Sequence, residues 1–124
     1  MELIRADQIP ALSNPGVVSR QLLNPESAPD ARVTVTEVHL SPDGVQPRHI
    51  HERAEQIWYA LRGRCALLLA LGEETPFHAG DVVRFAPGDV HGARNDGDGE
   101  FVYVSVTTPP QSFEHAYQKK EGGA

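Results

Sequence analysis

The side chains best suited to chemistry in this sequence are three histidines in two short stretches: His49 and His51, separated by Ile50, and His91 further along the chain. On a strand, side chains two apart project to the same face, so His49 and His51 can aim at one point while Ile50 turns away. Neutral imidazole is the commonest metal ligand among side chains, and two of them so placed form a chelate. A single His-x-His among six histidines is weak evidence by itself. The third imidazole strengthens it: His91 follows an apolar run, Val82 to Phe85, and a turn signal at Pro87 and Gly88. Two strand-and-turn units of this kind can face each other across a small barrel, and their histidines then converge on one cation.

The elements that must hold these residues are strands. Ten prolines and eleven glycines are scattered through the chain and cut it into short segments rich in Val, Leu, Phe, Tyr and Thr. The expected strands are Val17 to Leu23, Arg32 to Leu40, Gln56 to Leu61, Arg64 to Leu71, Asp81 to Phe85 and Phe101 to Thr107. Turn residues separate them at Asn24 and Pro25, Pro42 to Gly44, Gly72 to Glu74, Pro87 to Asp89 and Asn95 to Gly97. No long window carries a helical period between capping residues. The fold class is therefore all-β in one domain: a sandwich, jelly roll or closed barrel. Residues 1–30 read as a lead-in with one edge strand, 31–110 as the barrel, and 111–124 as a tail that packs or frays.

Two motifs make the chain resemble the cupin superfamily. The second motif of that family is a Gly, five residues, Pro-x-Gly, two residues, His, three residues and Asn. Here Gly80, Gly88, His91 and Asn95 stand at those intervals, with Ala86 where the first Pro is usual and Pro87 in the free position. The first motif is matched by His49, His51 and Gly63, although Gly44 lies one residue closer to His49 than the pattern asks. The matched segments are residues 44–63 and 80–95. The resemblance implies a jelly-roll barrel, also called a double-stranded β-helix, of the RmlC-like type, with one divalent transition metal ion in its mouth. It implies His49, His51 and His91 as ligands, together with a residue at the family's Glu position. Counting back from Gly63 gives Gln56 there, and counting on from His51 gives Glu55. Adjacent strand residues face opposite sides, so one of the two enters the barrel. Gln56 is favoured because the run from Ile57 to Gly63 continues its strand and sets the register.

Three neutral imidazoles and an amide oxygen would leave a bound ion its full charge, so the site would attract anions. Nitrogen-rich ligation suits Zn, Fe, Ni, Mn or Cu better than Ca or Mg. If Gln56 points inward, Trp58 shares its face and offers a ring near the metal. Arg84, in an otherwise apolar strand, could clamp a carboxylate or lie on an outer face. Tyr103 could supply a proton or hydrogen bond, and His39 could reach the interior or serve as a hydrogen-bonded structural residue. Arg48 and Arg94 flank ligands and could draw anions to the rim. His78 and His115 are expected in solvent, and Cys65 as a small buried strand residue.

With 17 Asp and Glu against 11 Lys and Arg, the net charge of −6 argues against nucleic-acid backbones as partners. No apolar run approaches a membrane span, and acidic residues stand where a signal peptide would begin basic and apolar, so a cytoplasmic protein is expected. Sheet edges left uncovered by a chain of this size make a homodimer the expected state. The function expected is a metal-dependent enzyme acting on a small anionic or enolisable substrate, by dioxygenase or by isomerase or ring-opening chemistry. A short likeness in the first motif to small cupins that linearise unsaturated uronates points the same way. The other class is a non-catalytic metal- or small-molecule-binding module; against it, no effector domain such as a DNA-binding one is expected in 124 residues.

Overall fold

The structure, a computed structural model, describes residues 1–122. Among these, eleven strands run in chain order: β1 Pro10–Asn14, β2 Val17–Leu23, β3 Thr34–Leu40, β4 Val45–His49, β5 Glu55–Arg62, β6 Arg64–Leu68, β7 Glu74–His78, β8 Val82–Phe85, β9 His91–Arg94, β10 Phe101–Thr108 and β11 Lys119–Gly122. They form two antiparallel sheets, one of seven strands in the order β11-β1-β2-β3-β10-β5-β8 and one of four in the order β4-β9-β6-β7. This is the jelly-roll arrangement of the RmlC-like barrels.

Period-two alternation decides which side chains face inward. Thr34, Thr36, Val38 and Leu40 of β3 are buried while Val35, Glu37 and His39 are not. On β5, Gln56, Trp58 and Ala60 are buried while Ile57, Tyr59 and Leu61 face out. Across β3 and β10 the inward pairs run Leu40 with Phe101, Val38 with Tyr103, Thr36 with Ser105 and Thr34 with Thr107. The inner face thus grades from apolar at one end to hydroxyl-bearing at the other. Phe77, Phe85 and Phe101 join Leu40, Trp58, Cys65 and Leu67 in one buried cluster. Each such aromatic contributes about 1.5–3 kcal/mol relative to exposure. Cys65 is buried there, and burial pushes its thiol up to about 12.

Several elements differ from expectation, for physical reasons. β4 and β7 contain Pro47 and Pro76, which read as strand breakers; both strands are edges of the four-stranded sheet, where a missing N–H is tolerated. β6 ends at Leu68 rather than at Leu71, because Leu71 adopts a left-handed φ of 60° in the turn into β7 and is exposed. In the first thirty residues, β2 is an internal strand between β1 and β3, and the edge belongs to β11 from the last residues described. The apolar residues of β1 are adjacent rather than alternating and β11 begins Lys-Lys-Glu, so no pattern announced them. The lysines of β11 suit a sheet edge, where charge discourages pairing with other chains.

Candidate metal centre

β4 delivers His49 at its last residue, and His91 opens β9 directly opposite in the antiparallel register. The close approach of these strands depends on Gly92. A Cβ at that position would lie 2.6 Å from the Gln46 carbonyl oxygen, so no other residue lets β9 sit where it does. His51 follows the end of β4, and its carbonyl accepts a hydrogen bond of 2.9 Å from the Gly88 amide, which ties the first motif to the turn of the second. Ile50 between them is exposed, although β4 ends at His49 and the expected strand does not continue through His51. The motif residues Gly63 and Asn95 are structural. Gly63 has a φ of +79°, and a Cβ there would meet the Glu100 carbonyl at 2.4 Å. Buried Asn95 donates to the carbonyls of Leu40 at 2.9 Å and Gly99 at 2.8 Å.

The three imidazoles converge. Each of His49, His51 and His91 offers a nitrogen, and these lie within 4.8 Å of one another. Nδ1 of His49 stands 2.8 Å from the Pro47 carbonyl and Nδ1 of His91 stands 2.9 Å from the Asp89 carbonyl. A carbonyl only accepts, so both Nδ1 atoms carry a proton, and Nε2 is the atom that offers a lone pair when either ring is neutral. Nε2 of His51 is buried without a hydrogen-bond partner. Phe85 stacks on the His91 ring at 4.4 Å between centroids and holds its plane.

Gln56 completes the cluster, and its orientation is determined by its neighbours. The indole N–H of Trp58 donates to Gln56 Oε1 at 3.0 Å, and Gln56 Nε2 donates to Thr107 Oγ1 at 2.9 Å. Oε1 therefore faces His91 Nε2 at 3.2 Å. With His91 protonated on Nδ1, two lone pairs oppose each other there with no hydrogen between them. Such a contact is relieved by a cation, so the donor set fits a metal ion. Burial, with smaller contributions from neighbouring imidazoles, pushes both His51 and His91 down to about 4. Both rings are neutral at physiological pH, the state in which imidazole can ligate. Glu55 takes the outward side of β5, where it accepts from Arg84 at 2.6 Å.

The cluster opens onto a cavity of about 850 Å³ that Trp58 and Tyr103 help to line. These two rings stack at 4.2 Å. The indole N–H is already used by Gln56, and burial drives the Tyr103 phenol well above its ordinary value, so it remains protonated and can donate. The other pocket candidates lie elsewhere. Arg84 pairs across β8 and β5 with Ile57 and shares its outward side. His39 lies on the outward side of β3, with Nε2 2.7 Å from Glu37 and Nδ1 3.3 Å from Glu100. That hydrogen bond holds the Glu37 carboxyl below its ordinary range. Arg48 stands at the cavity rim but donates to the carbonyls of Leu69 and Glu73, and Arg94 is neutralised by Glu74 at 2.6 Å.

Sequence reasoning missed the segment after β10. Residues 111–117 cross the barrel mouth and contribute Phe113, His115 and Tyr117 to the cavity wall. Phe113 lies 6.0 Å from the His51 ring, and Gln46 Nε2 donates to the Tyr117 hydroxyl at 3.1 Å. Asn14 Nδ2 donates to the Ala116 carbonyl at 3.0 Å, fastening the segment to β1. His115, expected in open solvent, is exposed at the rim of this cavity. The only signal was two aromatic residues, Phe113 and Tyr117, in an otherwise polar stretch.

Comparison with known proteins places this geometry in a wider group. A family model described as a cupin domain matches residues 36–107, a stretch that includes all three histidines and Gln56. An uncharacterized protein of Methanocaldococcus jannaschii is 26% identical over 105 residues, spanning 85% of this chain and 83% of its own. A Cupin 2 conserved barrel domain protein from Salinispora arenicola superposes with a TM-score of 0.70 at 28% identity, over 87% of this chain and 88% of its own. A predicted oxalate decarboxylase from Thermotoga maritima superposes with a TM-score of 0.73 at 26% identity, over 87% of this chain and 99% of its own.

Proposed function

This chain belongs to the cupin domain family, and on that footing we propose that it is a metal-dependent enzyme whose His49, His51, His91 and Gln56 hold one divalent transition metal ion. Its substrate in this reading is a small anionic or enolisable organic molecule, transformed by dioxygenase or by isomerase or ring-opening chemistry. The observation that carries the proposal is the convergence of three imidazoles, with the Gln56 oxygen held toward His91, at the wall of a cavity large enough for a substrate. A bound ion would supply Lewis-acid polarisation of a substrate oxygen or, if it is iron, a redox centre.

The protein's own groups would do the rest. Trp58 and Thr107 hold the Gln56 amide in place, and the Pro47 and Asp89 carbonyls hold His49 and His91 in the ligating tautomer. The Tyr103 phenol stays protonated and can donate to a substrate oxygen. Phe113 and Tyr117 restrict water at the mouth. The relative from Thermotoga maritima, described as a predicted oxalate decarboxylase, supports an enzyme of small acids. Metal analysis of freshly isolated protein, beside a His49→Ala and His51→Ala double variant, tests the reading. One divalent ion per chain is expected in the first and none in the second. Equal metal content would refute it.

A non-catalytic binding module is the second reading, and one observation favours it. Among the described residues lining the cavity, the free carboxylate and the imidazole outside the triad, Glu52 and His115, both stand toward the rim. Turnover lost in His91→Ala while binding of the organic molecule persists would favour the enzyme; binding without turnover in the native protein would favour the module. The homodimer belongs to the same proposal. Ile57, Tyr59, Leu61 and Val82 leave an apolar outer face on β5 and β8, with Val82 66% exposed. Light scattering that finds a monomer would exclude it. No helix among the described residues is long and apolar enough to cross a membrane.

A further inference from the structure

The inner wall that leads away from the three histidines has a chemistry of its own. In the registers of the large sheet, Trp58 of β5 faces Ser105 of β10, Ser105 faces Thr36 of β3, and Thr36 faces Gln21 of β2. Ser19, two residues before Gln21, stands beside them on the same inward side. Ser19, Thr36 and Ser105 are each less than 5% exposed, yet all three line the cavity. Barrel cores are ordinarily filled by apolar side chains, and hydroxyls in such positions cost free energy unless they are hydrogen-bonded. Gln21 Nε2 donates to Ser19 Oγ at 2.9 Å, which leaves the Ser19 proton free to donate elsewhere. Gln21 is itself 2% exposed, and its Oε1 is buried without a partner. The row therefore carries more hydrogen-bonding capacity than the protein satisfies.

Charge and length narrow what this row could hold. Its members are all neutral, so it offers no cation to a second carboxylate. An aliphatic or aromatic tail would strand the hydroxyls of Ser19, Thr36 and Ser105 against apolar surface. From β5 to β2 there are three interstrand spacings, about 14 Å in all. A two-carbon acid held at the histidines would leave most of that length to water. We propose that Ser19, Thr36 and Ser105 form a subsite for the hydroxyl groups of a polyhydroxylated carboxylic acid whose acid end faces the histidine cluster. The inference rests on the reading of that cluster as the place where the substrate's anionic end binds. Two or three additional hydrogen bonds between neutral groups correspond to about a tenfold or greater gain in affinity.

The test uses two acids with the same 2-hydroxy acid end and the same six-carbon length, gluconate and 2-hydroxyhexanoate. Trp58 is the chain's single tryptophan and lies at the head of the row, so its fluorescence reports occupancy. With zinc-loaded full-length protein, gluconate should bind at least about tenfold more tightly than 2-hydroxyhexanoate. In a Thr36→Val, Ser105→Ala double variant that ratio should fall to one or below, with the affinity for gluconate weakened and that for 2-hydroxyhexanoate equal to or above the native value. Ser19→Ala, which touches neither β3 nor β10 chemistry, should lower the ratio part of the way and serves if the double variant does not fold. Equal affinities in the native protein, or a preference that survives these substitutions, would overturn the subsite. The visible spectrum of cobalt-substituted protein separates the two claims. A spectrum that neither acid moves, alongside a hydroxyl preference in fluorescence, sinks the anionic-end reading and leaves the subsite standing. A spectrum moved alike by two acids of equal affinity does the reverse.

Discussion

Metal-free protein should lose stability steeply in mild acid because His51 and His91 are both held at about 4, and His91 is the one to test. Its ring is 1% exposed, and burial holds it at about 4 against an ordinary value of 6.5. The unfolded chain therefore takes up a proton near pH 6.5 that the folded chain refuses until about pH 4. Between those values the unfolded state binds more protons, so stability falls as pH falls; above that window the full stability is present, and below it the loss levels off. Integrated from pH 7.5 to pH 4.5, this one group costs about 2.5 kcal/mol. That is a large share of the 5–15 kcal/mol typical of a domain. The lowered carboxyls of Glu37 and Glu74 lose their contribution only below their ordinary value of 4.5, so a comparison ending at pH 4.5 largely isolates the histidines. The assay is urea denaturation at both pH values in the presence of a chelator, for the native chain and for His91→Gln, whose amide does not titrate. The native chain should lose about 2 kcal/mol more than the variant. A fall of equal size in both would mean that His91 is not held neutral by burial, and the argument that its lone pair stands ready for a metal would fail with it.

Three further outcomes follow from the same geometry. Trp58→Phe keeps most of the packing but removes the N–H that fixes the Gln56 oxygen, and metal affinity measured by chelator competition should weaken about tenfold, as for other partners of ligating groups. Gly92→Ala places a methyl 2.6 Å from the Gln46 carbonyl and must force β9 away from β4. Thermal melting should show a loss of about 1–3 kcal/mol together with weakened metal uptake, and a variant with native melting and native uptake would contradict the strand approach described. Arg84→Ala removes only an exposed pair with Glu55, so stability should change by no more than about 1 kcal/mol and metal affinity not at all.

What the sequence disclosed and what it concealed divide along a physical line. Residues that cooperate over a short span were legible: the two-residue period of β5 puts Gln56 and Trp58 inside and Glu55 and Ile57 outside, and His49 and His51 come together as their spacing suggests even though the strand ends at His49. That rule also fixes the sides of His39 and Arg84, once the strands that carry them have a known inner face. The inner face, however, is a property of the partner strands, and those pairings join residues far apart in the chain. β11 pairs with β1 from opposite ends of the chain, with no apolar period in either. The segment over the mouth is held by hydrogen bonds from Asn14 and Gln46 that nothing local to residues 111–117 announces. The hydroxyl row illustrates the same limit more sharply. Ser19, Thr36 and Ser105 come from three strands, and each alone is an unremarked small polar residue in a strand of Val and Thr. Only the register of β2, β3 and β10 makes them neighbours. The convergence of the three histidines can thus be anticipated from local spacing, whereas the chemistry of the rest of the cavity wall is written across strands.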